Sequence, residues 1–301
     1  MRGEIVWSPA VDAFGTTQLG RFAASVGFAD YPSLLEWSIR EPGDFWSAFA
    51  TWAGVRWHDT PHSPTSFAGM PGVKWFPGAT LNYAEHALSH AAVRSDDVAI
   101  VSLSQSRDRV ELTWFELADA VARCRAGLVS LGVGRGDRVA AFLPNVAETT
   151  IAFLATASLG AIWSSCAPEF GVRAVVDRWS QLEPSVLFTV DGYRYGSRAI
   201  DRRGEVAAIV AALPSIGSVV ELPYLDAARL PTLGVDTLTW DELLARSPGA
   251  ALEHVPVPFD HPLYVLFSSG TTGLPKPIVH GHGGITLEHL KALALHHDLG
   301  P

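Results

Sequence analysis

The sequence contains little lysine, and it has no long basic segment. Lysine occurs only at positions 74, 276 and 291, although Lys and Arg together number 22. The net charge of −9 and the pI near 5.6 argue against a surface that attracts nucleic acid or anionic lipid. A phosphate ligand would therefore be bound locally, by a few well-placed groups.

Cysteine and long apolar runs are also scarce. Cys124 and Cys166 lie in apolar segments without CxxC spacing, which we interpret as two buried structural thiols in a reducing compartment rather than reactive ones. Glu4 and Pro9 interrupt the place where a signal peptide needs an apolar run, and the apolar stretch 151–163 is too short to span a bilayer. We expect a soluble, cytoplasmic protein without nucleic-acid or membrane partners.

The composition divides the chain near residue 88, which gives a tryptophan-rich first domain, 1–88, and a second domain, 89–301. Ser33 and Glu36 have the spacing of a capping box, which would open a helix. Pro42 is expected to end that helix. Aromatic residues then recur at helical spacing between 45 and 52. Six tryptophans of this region could stack on bases, but core packing is the better interpretation without basic partners: Trp7, Trp37, Trp46, Trp52, Trp57 and Trp75.

Proline and glycine are dense between residues 59 and 81, which indicates an ordered loop. Trp75 and Phe76 are expected to hold that loop down by burying aromatic surface.

Beyond residue 97, short apolar segments alternate with longer amphipathic ones. The predicted strands are 98–103, 139–143, 161–166, 186–190, 219–222 and 263–267. The predicted helices are 113–132, opened by a Thr113/Glu116 capping box, 148–159, 173–180, 205–213 and 239–245. This pattern predicts an α/β fold with mostly parallel sheets and helices on both faces, in which ligands bind beyond the carboxyl ends of the strands.

One segment that follows a predicted strand combines glycine, hydroxyl side chains and a lysine. It reads Ser268-Ser269-Gly270-Thr271-Thr272-Gly273-Leu274-Pro275-Lys276. The glycines allow the backbone N–H groups to approach a phosphate closely, the hydroxyls add donors, and Lys276 adds positive charge. We predict that these residues bind a triphosphate, and we call the segment 268–276 the triphosphate loop.

Two better-known phosphate motifs do not fit this chain. A Walker loop requires Gly-Lys-Ser/Thr, whereas prolines flank Lys276 on both sides. A dinucleotide fingerprint requires a third glycine where the segment beginning at Gly132 has Asp137. A phosphoryl-transfer enzyme of the Walker type is therefore disfavoured.

The triphosphate loop resembles the signature of the adenylate-forming superfamily, which includes acyl-CoA synthetases, firefly luciferases and peptide-synthetase adenylation domains. The following segment, 279–291, resembles the short-chain branch and most resembles the acetoacetyl-CoA synthetases. The segments 75–86, 112–117 and 160–171 agree with this resemblance, which covers about residues 30–301.

The resemblance implies a function and a set of ligands. A carboxylic acid, acetoacetate, would attack the α-phosphate of ATP to give an acyl-adenylate and pyrophosphate, and CoA would then displace AMP. Residues 1–88 would correspond to the acetyl-CoA synthetase N-terminal domain, and 89–301 to the first part of the AMP-binding domain. In the family this loop holds the β- and γ-phosphates with Mg²⁺, and Thr271, Thr272 and Lys276 are the expected contacts.

Weaker candidates lie elsewhere in the chain. The resemblance implies that Arg194 and Arg198 contact CoA phosphates, although they could instead be solvated surface arginines. Glu169 and Phe170 could line the acyl or CoA channel or could be structural. Histidines are frequent near the C-terminus, but no metal-ligand spacing is evident, and His280 is the histidine expected to matter most.

The resemblance also implies that this chain is the N-terminal part of a longer enzyme. The ribose-binding acid, the magnesium-binding glutamate and the adenylation lysine of the family are expected beyond residue 301, so we predict no catalytic residue here. We expect little or no ligase activity from the 301-residue chain alone, which acetoacetate-dependent pyrophosphate exchange would test. The alternatives are an acetyl- or propionyl-CoA synthetase and a noncatalytic nucleotide-binding module.

Overall fold

The fold divides into two compact units, which are described separately. The structure is a computed structural model that describes residues 3–300, except positions 5, 7, 9, 11, 67, 68, 70, 226–228 and 269–272. The first unit comprises Met1–Leu81 with Gly283–Pro301, and the second comprises Asn82–His282.

The first unit begins with helices and continues with short strands. The helices are α1 (Ala13–Thr16), α2 (Gln18–Ser25), α3 (Tyr31–Arg40) and α4 (Pro42–Trp52). The strands are β1 (Thr65–Ser66), β2 (Lys74–Trp75) and β3 (Thr80–Leu81).

Helix α3 begins earlier than the sequence predicted. Its N-cap is Asp30, whose carboxylate accepts a hydrogen bond from the Ser33 backbone N–H at 2.9 Å. The prediction that Ser33 and Glu36 form a capping box is therefore wrong, because Ser33 lies inside the first turn and its hydroxyl contacts Asp30 instead. Pro42 does not merely follow this helix but begins α4, where a missing N–H costs no hydrogen bond.

Aromatic side chains form the interior of the first unit. The buried ring of Phe22 makes edge contacts with Phe45, Phe49 and Trp52 at centroid distances of 5.5–5.8 Å. Phe76 is 2% exposed and lies 5.4 Å from the Trp57 ring. The interpretation of the tryptophans as packing residues is confirmed for Trp52 and Trp57. Trp7 lies outside the described residues.

The second unit alternates strands and helices. Its helices are α5 (Tyr83–Ala87), α6 (Trp114–Ser130), α7 (Ala147–Ser158), α8 (Val172–Trp179), α9 (Arg203–Ala212) and α10 (Trp240–Ala245), with a 3₁₀ turn at Ser89–Ala92. Its strands are β4 (Val98–Ser102), β5 (Val110–Thr113), β6 (Arg138–Phe142), β7 (Ile162–Cys166), β8 (Val186–Val190), β9 (Gly192–Tyr195), β10 (Arg198–Asp201), β11 (Ser218–Leu222), β12 (Asp236–Thr239), β13 (Val257–Pro258), β14 (Pro262–Ser268) and β15 (Lys276–Gly281). Helix α11 (His282–Lys291) begins at the last residue of the second unit and continues in the first unit, where a π-helical turn (Ala292–His296) follows.

The main sheet of the second unit is mostly parallel, as predicted. Among the described residues its strand order is β12-β11-β8-β6-β7-β14-β15, and β15 alone runs antiparallel to its neighbour. Helix α6 packs against both α7 and α10, and α8 packs on α9 over a buried cluster that includes Trp179 and Ile209. All five residues of β8 are buried, because a central parallel strand is covered on both faces.

Helix boundaries in this unit follow their capping signals. Thr113 and Glu116 form the predicted capping box of α6, and Gly132 follows the end of α6 with a φ of +84°. Thr239 and Glu242 form a second such box, which opens α10. Within the described residues, no helix combines the length and the apolar character needed to cross a bilayer.

Candidate functional site

The triphosphate loop connects the two strands of a hairpin at one edge of the main sheet. Ser268 ends β14 and Lys276 begins β15, and the two residues face each other in the antiparallel ladder. Paired residues of such a ladder have Cα atoms about 4.5–5.5 Å apart and side chains on the same face. The hydroxyl of Ser268 and the ammonium of Lys276 therefore leave the sheet side by side.

The apex of the loop is only partly described. Ser269, Gly270, Thr271 and Thr272 lie outside the described residues, so their predicted phosphate contacts stay predictions. Gly273 and Lys276 are exposed, and Lys276 makes no ion pair with a described carboxylate. The positive charge predicted for this loop is therefore accessible from solvent at its base.

The loop lies at the ligand-binding edge expected for this fold. Strand β14 runs parallel to β7, so the loop emerges at the same edge as the turn after Cys166. Glu169 and Phe170 are exposed in that turn, between β7 and α8. Their place beside the loop fits the predicted channel position, which stays a prediction.

Two polar side chains near this edge were not singled out from the sequence. Arg178, at the end of α8, lies against the rings of Phe170 and Phe267, and Gln181 donates a hydrogen bond to the Pro275 carbonyl. Neither residue belongs to a phosphate motif, so only the folded chain brings them to the loop.

Arg194 and Arg198 occupy a β-hairpin that follows the carboxyl end of β8. Arg194 is paired with Ala199 and Arg198 with Tyr195 in strands β9 and β10. Because side chains alternate along a strand, the two guanidiniums leave opposite faces of this exposed hairpin. Three strand spacings separate β8 from β14, about 14–15 Å. The CoA contact of these arginines stays a prediction, and it would use the hairpin at some distance from the loop.

The histidines after the loop have different surroundings. The half-buried ring of His280 lies 5.1 Å from the Tyr264 ring, whereas His282 is fully buried at the start of α11. Its Nδ1 atom accepts a hydrogen bond from the Tyr83 backbone N–H at 3.1 Å. Burial, with a smaller contribution from His261, lowers the pKa of His282 from 6.5 to about 3. Among the described residues, no group of three His, Cys, Asp or Glu side chains could hold a metal ion.

The buried His282 predicts a loss of stability in acid. Its folded-state pKa is below the unfolded value, so the folded state favours the neutral ring, and the stability lost on acidification begins near pH 6.5 and grows towards pH 3. At pH 5 this corresponds to about 2 kcal/mol of unfolding free energy. We expect His282→Gln to remove that part of the pH dependence in urea unfolding at pH 7.5 and pH 5. Replacing the exposed His297 in the same way is the control, and an unchanged pH dependence in His282→Gln would refute the assignment.

Both cysteines are buried, which confirms their interpretation as structural thiols. Burial raises the pKa of Cys124, and it raises the pKa of Cys166 to about 11 despite the opposing charge of Arg178. Both thiols are therefore protonated near neutral pH, which leaves little thiolate for reaction.

Comparison with known proteins adds two family matches. Residues 88–299 match the family model described as AMP-binding enzyme, and residues 31–87 match the model for the acetyl-coenzyme A synthetase N-terminus. Acetoacetyl-CoA synthetase of Rattus norvegicus is 37% identical over 99% of this chain and 46% of its own length. Malonamoyl-CoA synthetase of Penicillium aethiopicum is 36% identical over 99% of this chain and 43% of its own length.

A solved structure is also similar. Acetoacetyl-CoA synthetase from Streptomyces lividans shares 45% identity with a TM-score of 0.94, over 99% of this chain and 46% of that chain. The chain thus spans less than half the length of the relatives it matches.

Proposed function

The chain belongs to the AMP-binding enzyme family, and from that premise we propose that it supplies the triphosphate-binding part of an ATP-dependent acid:CoA ligase. The proposed reaction joins acetoacetate, ATP and CoA. The acid carboxylate attacks the α-phosphate and displaces pyrophosphate, and the CoA thiol then displaces AMP from the acyl-adenylate. The single observation that carries this proposal is the position of the triphosphate loop at the carboxyl end of β14, with Lys276 directly opposite Ser268.

We assign the loop residues to the phosphates of the nucleotide. Lys276, Thr271 and Thr272 would contact the β- and γ-phosphates, and Ser268, Ser269, Gly270 and Gly273 would supply further donors. Mg²⁺ would enter with the nucleotide as MgATP. Each hydrogen bond to a charged oxygen contributes about 1.5–3 kcal/mol, so a few of them suffice for micromolar affinity after the loop is ordered.

These groups would stabilise charge rather than attack the substrate. Negative charge grows on the pyrophosphate as its bond to the α-phosphate breaks, and donors already aimed at those oxygens lower the barrier. Residues on the hairpin of β9 and β10, Arg194 and Arg198, would contact a CoA phosphate as a separate subsite. We also propose a cytoplasmic location, which the two buried thiols fit.

The identity of the acid is the finer part of the proposal. The names of the two relatives refer to acetoacetyl-CoA and malonamoyl-CoA, and their identities to this chain are nearly equal. Acetoacetate and malonamate both carry a carbonyl group on the carbon next to the acid's methylene, and they differ only in a terminal methyl or amino group. A second candidate substrate is therefore malonamate, and acetate lacks the shared carbonyl.

An acid panel tests this proposal in the protein that carries this chain. Acid-dependent exchange of labelled pyrophosphate into ATP should be strong with acetoacetate and weak with acetate or propionate. A preference for malonamate would replace the substrate but keep the ligase. Exchange with none of these acids, in a protein that still binds ATP, would favour a noncatalytic nucleotide-binding module.

A further inference from the structure

The hairpin that carries the triphosphate loop is joined to the sheet by little backbone pairing. Within the described residues, β14 meets β7 at one paired position, Tyr264 opposite Trp163. Strands β6 and β7, in contrast, are paired along their whole length. The other neighbour of β14 is β15, which belongs to the same hairpin and cannot fix it to the sheet. Side-chain contacts therefore contribute to the position of the loop.

A buried serine provides one of these contacts. Ser164 of β7 is 2% exposed, and its hydroxyl donates a hydrogen bond to the Val265 carbonyl of β14 at 3.0 Å. Because a buried carbonyl without a donor is unfavourable, this bond favours one register of β14 against β7. The neighbouring Ser165 pairs with β6 through its backbone, but it is exposed and its hydroxyl makes no hydrogen bond with a described residue.

We call the end of β14 that leads into the triphosphate loop its first arm, and the segment that leads from the loop into β15 its second arm. The end of helix α8 contacts the first arm. The Arg178 guanidinium lies 6.0 Å from the Phe267 ring centroid and 5.1 Å from that of Phe170. Phe267 immediately precedes Ser268, and it packs against a buried cluster that includes Trp179. Arg178 makes no ion pair with a described carboxylate, and its Nη1 donates to the Ala174 carbonyl of its own helix at 2.6 Å.

The residues after α8 reach the second arm. The Gln181 side-chain amide donates to the Asp177 carbonyl at 2.9 Å and to the Pro275 carbonyl at 3.0 Å. Pro275 immediately precedes Lys276. One short segment of chain, 178–181, therefore contacts both arms of the loop on either side of its apex.

We propose that Ser164, Arg178 and Gln181 are positioning residues that fix the two arms of the triphosphate loop for a nucleoside triphosphate. They supplement the short backbone ladder between β14 and β7, and none of them needs to touch the nucleotide. The inference rests on the proposed function for its ligand. The fixed position of the arms follows from the contacts alone.

Hydrogen exchange and nucleotide binding together test this inference. In Ser164→Ala and Gln181→Leu, we expect the amides of β15 to exchange about 5-fold faster, the effect of one lost hydrogen bond on local opening. Amides of β6 should keep the wild-type rate. The dissociation constant for MgATP should rise by a similar factor, about 5-fold, because the loop must be ordered again on binding. Arg178→Met should likewise accelerate amide exchange in β15 and raise the dissociation constant for MgATP.

Matched controls are available in the same elements. Ser165→Ala lies on the same strand as Ser164, and Arg173→Met lies on the same helix as Arg178 with a side chain that is 94% exposed. Both controls should leave exchange and binding unchanged. Gln181 is exposed, so its variant tests the second arm without altering the core.

Wild-type exchange of β15 in Ser164→Ala and Gln181→Leu would overturn the inference, and so would equal acceleration in β6. Unchanged MgATP affinity in variants with faster β15 exchange would also overturn it. Failure of the wild-type chain itself to bind MgATP would instead refute the proposed function, which separates the two failures.

Discussion

Replacing Lys276 by alanine is expected to slow acyl-adenylate formation by about 10- to 100-fold in the protein that carries this chain, equivalent to about 1.4–2.7 kcal/mol of transition-state stabilisation. Lys276 lies at the base of the triphosphate loop, opposite Ser268, and is exposed. Its charge would interact most strongly with pyrophosphate as negative charge develops, so the rate should fall more than ground-state affinity explains. The measurement is single-turnover formation of the acyl-adenylate at saturating ATP.

A second lysine serves as the control for this prediction. Lys74 is exposed on β2, in the other compact unit, and Lys74→Ala should leave the rate unchanged. An unchanged rate and ATP dependence in Lys276→Ala would remove Lys276 from the mechanism.

The largest stability effect is expected from Asn82, whose replacement by alanine should lower the free energy of unfolding by about 2–4 kcal/mol. The side chain is fully buried and caps α5 by accepting from the Ala84 backbone N–H at 2.9 Å. Its amide also donates to the carbonyls of Ala157 and Val255, at 3.0 Å and 2.9 Å. Alanine would leave those buried carbonyls without this donor and would remove the cap.

Urea unfolding measures this loss. Asn145→Ala is the matched control, because Asn145 is exposed and makes no hydrogen bond with a described residue. A loss below about 1 kcal/mol for Asn82→Ala, the usual scale of a surface substitution or a simple cap, would contradict the role assigned to the amide.

The family and the main sheet could be predicted from local sequence. The triphosphate loop carries its donors within nine residues, so its resemblance to adenylate-forming enzymes was visible without a structure, and the family is confirmed. Strands such as β8 are nearly continuous apolar runs, and such runs are typical of central parallel strands. Thr113 and Glu116 likewise gave α6 a correct start.

Local sequence was less informative at the sheet edge and at helix α3. Pro277 within β15 argues against a central strand, and the structure places that strand at an edge, where proline is tolerated. For α3, two capping residues lay three positions apart. Asp30 is the N-cap because its carboxylate accepts a hydrogen bond from the Ser33 backbone N–H. The helix therefore begins one turn earlier than the Ser33 spacing predicted.

The contacts that support the triphosphate loop could not be predicted, because they join residues far apart in sequence. Ser164 and Val265 are separated by 101 positions, and Gln181 and Pro275 by 94. Serine on an apolar strand and glutamine after a helix are common, so neither residue type signals such a contact. Only the order of the strands in the folded sheet brings them together.

Calorimetric titration with MgATP, comparing the wild-type chain with Lys276→Ala, tests whether the triphosphate loop binds the nucleotide. We expect saturable binding by the wild-type chain in the micromolar range and binding at least about 10-fold weaker in the variant, a difference of about 1.4 kcal/mol. Absence of saturable binding in the wild-type chain, or equal affinity in the two proteins, would contradict the assignment of this loop to the triphosphate.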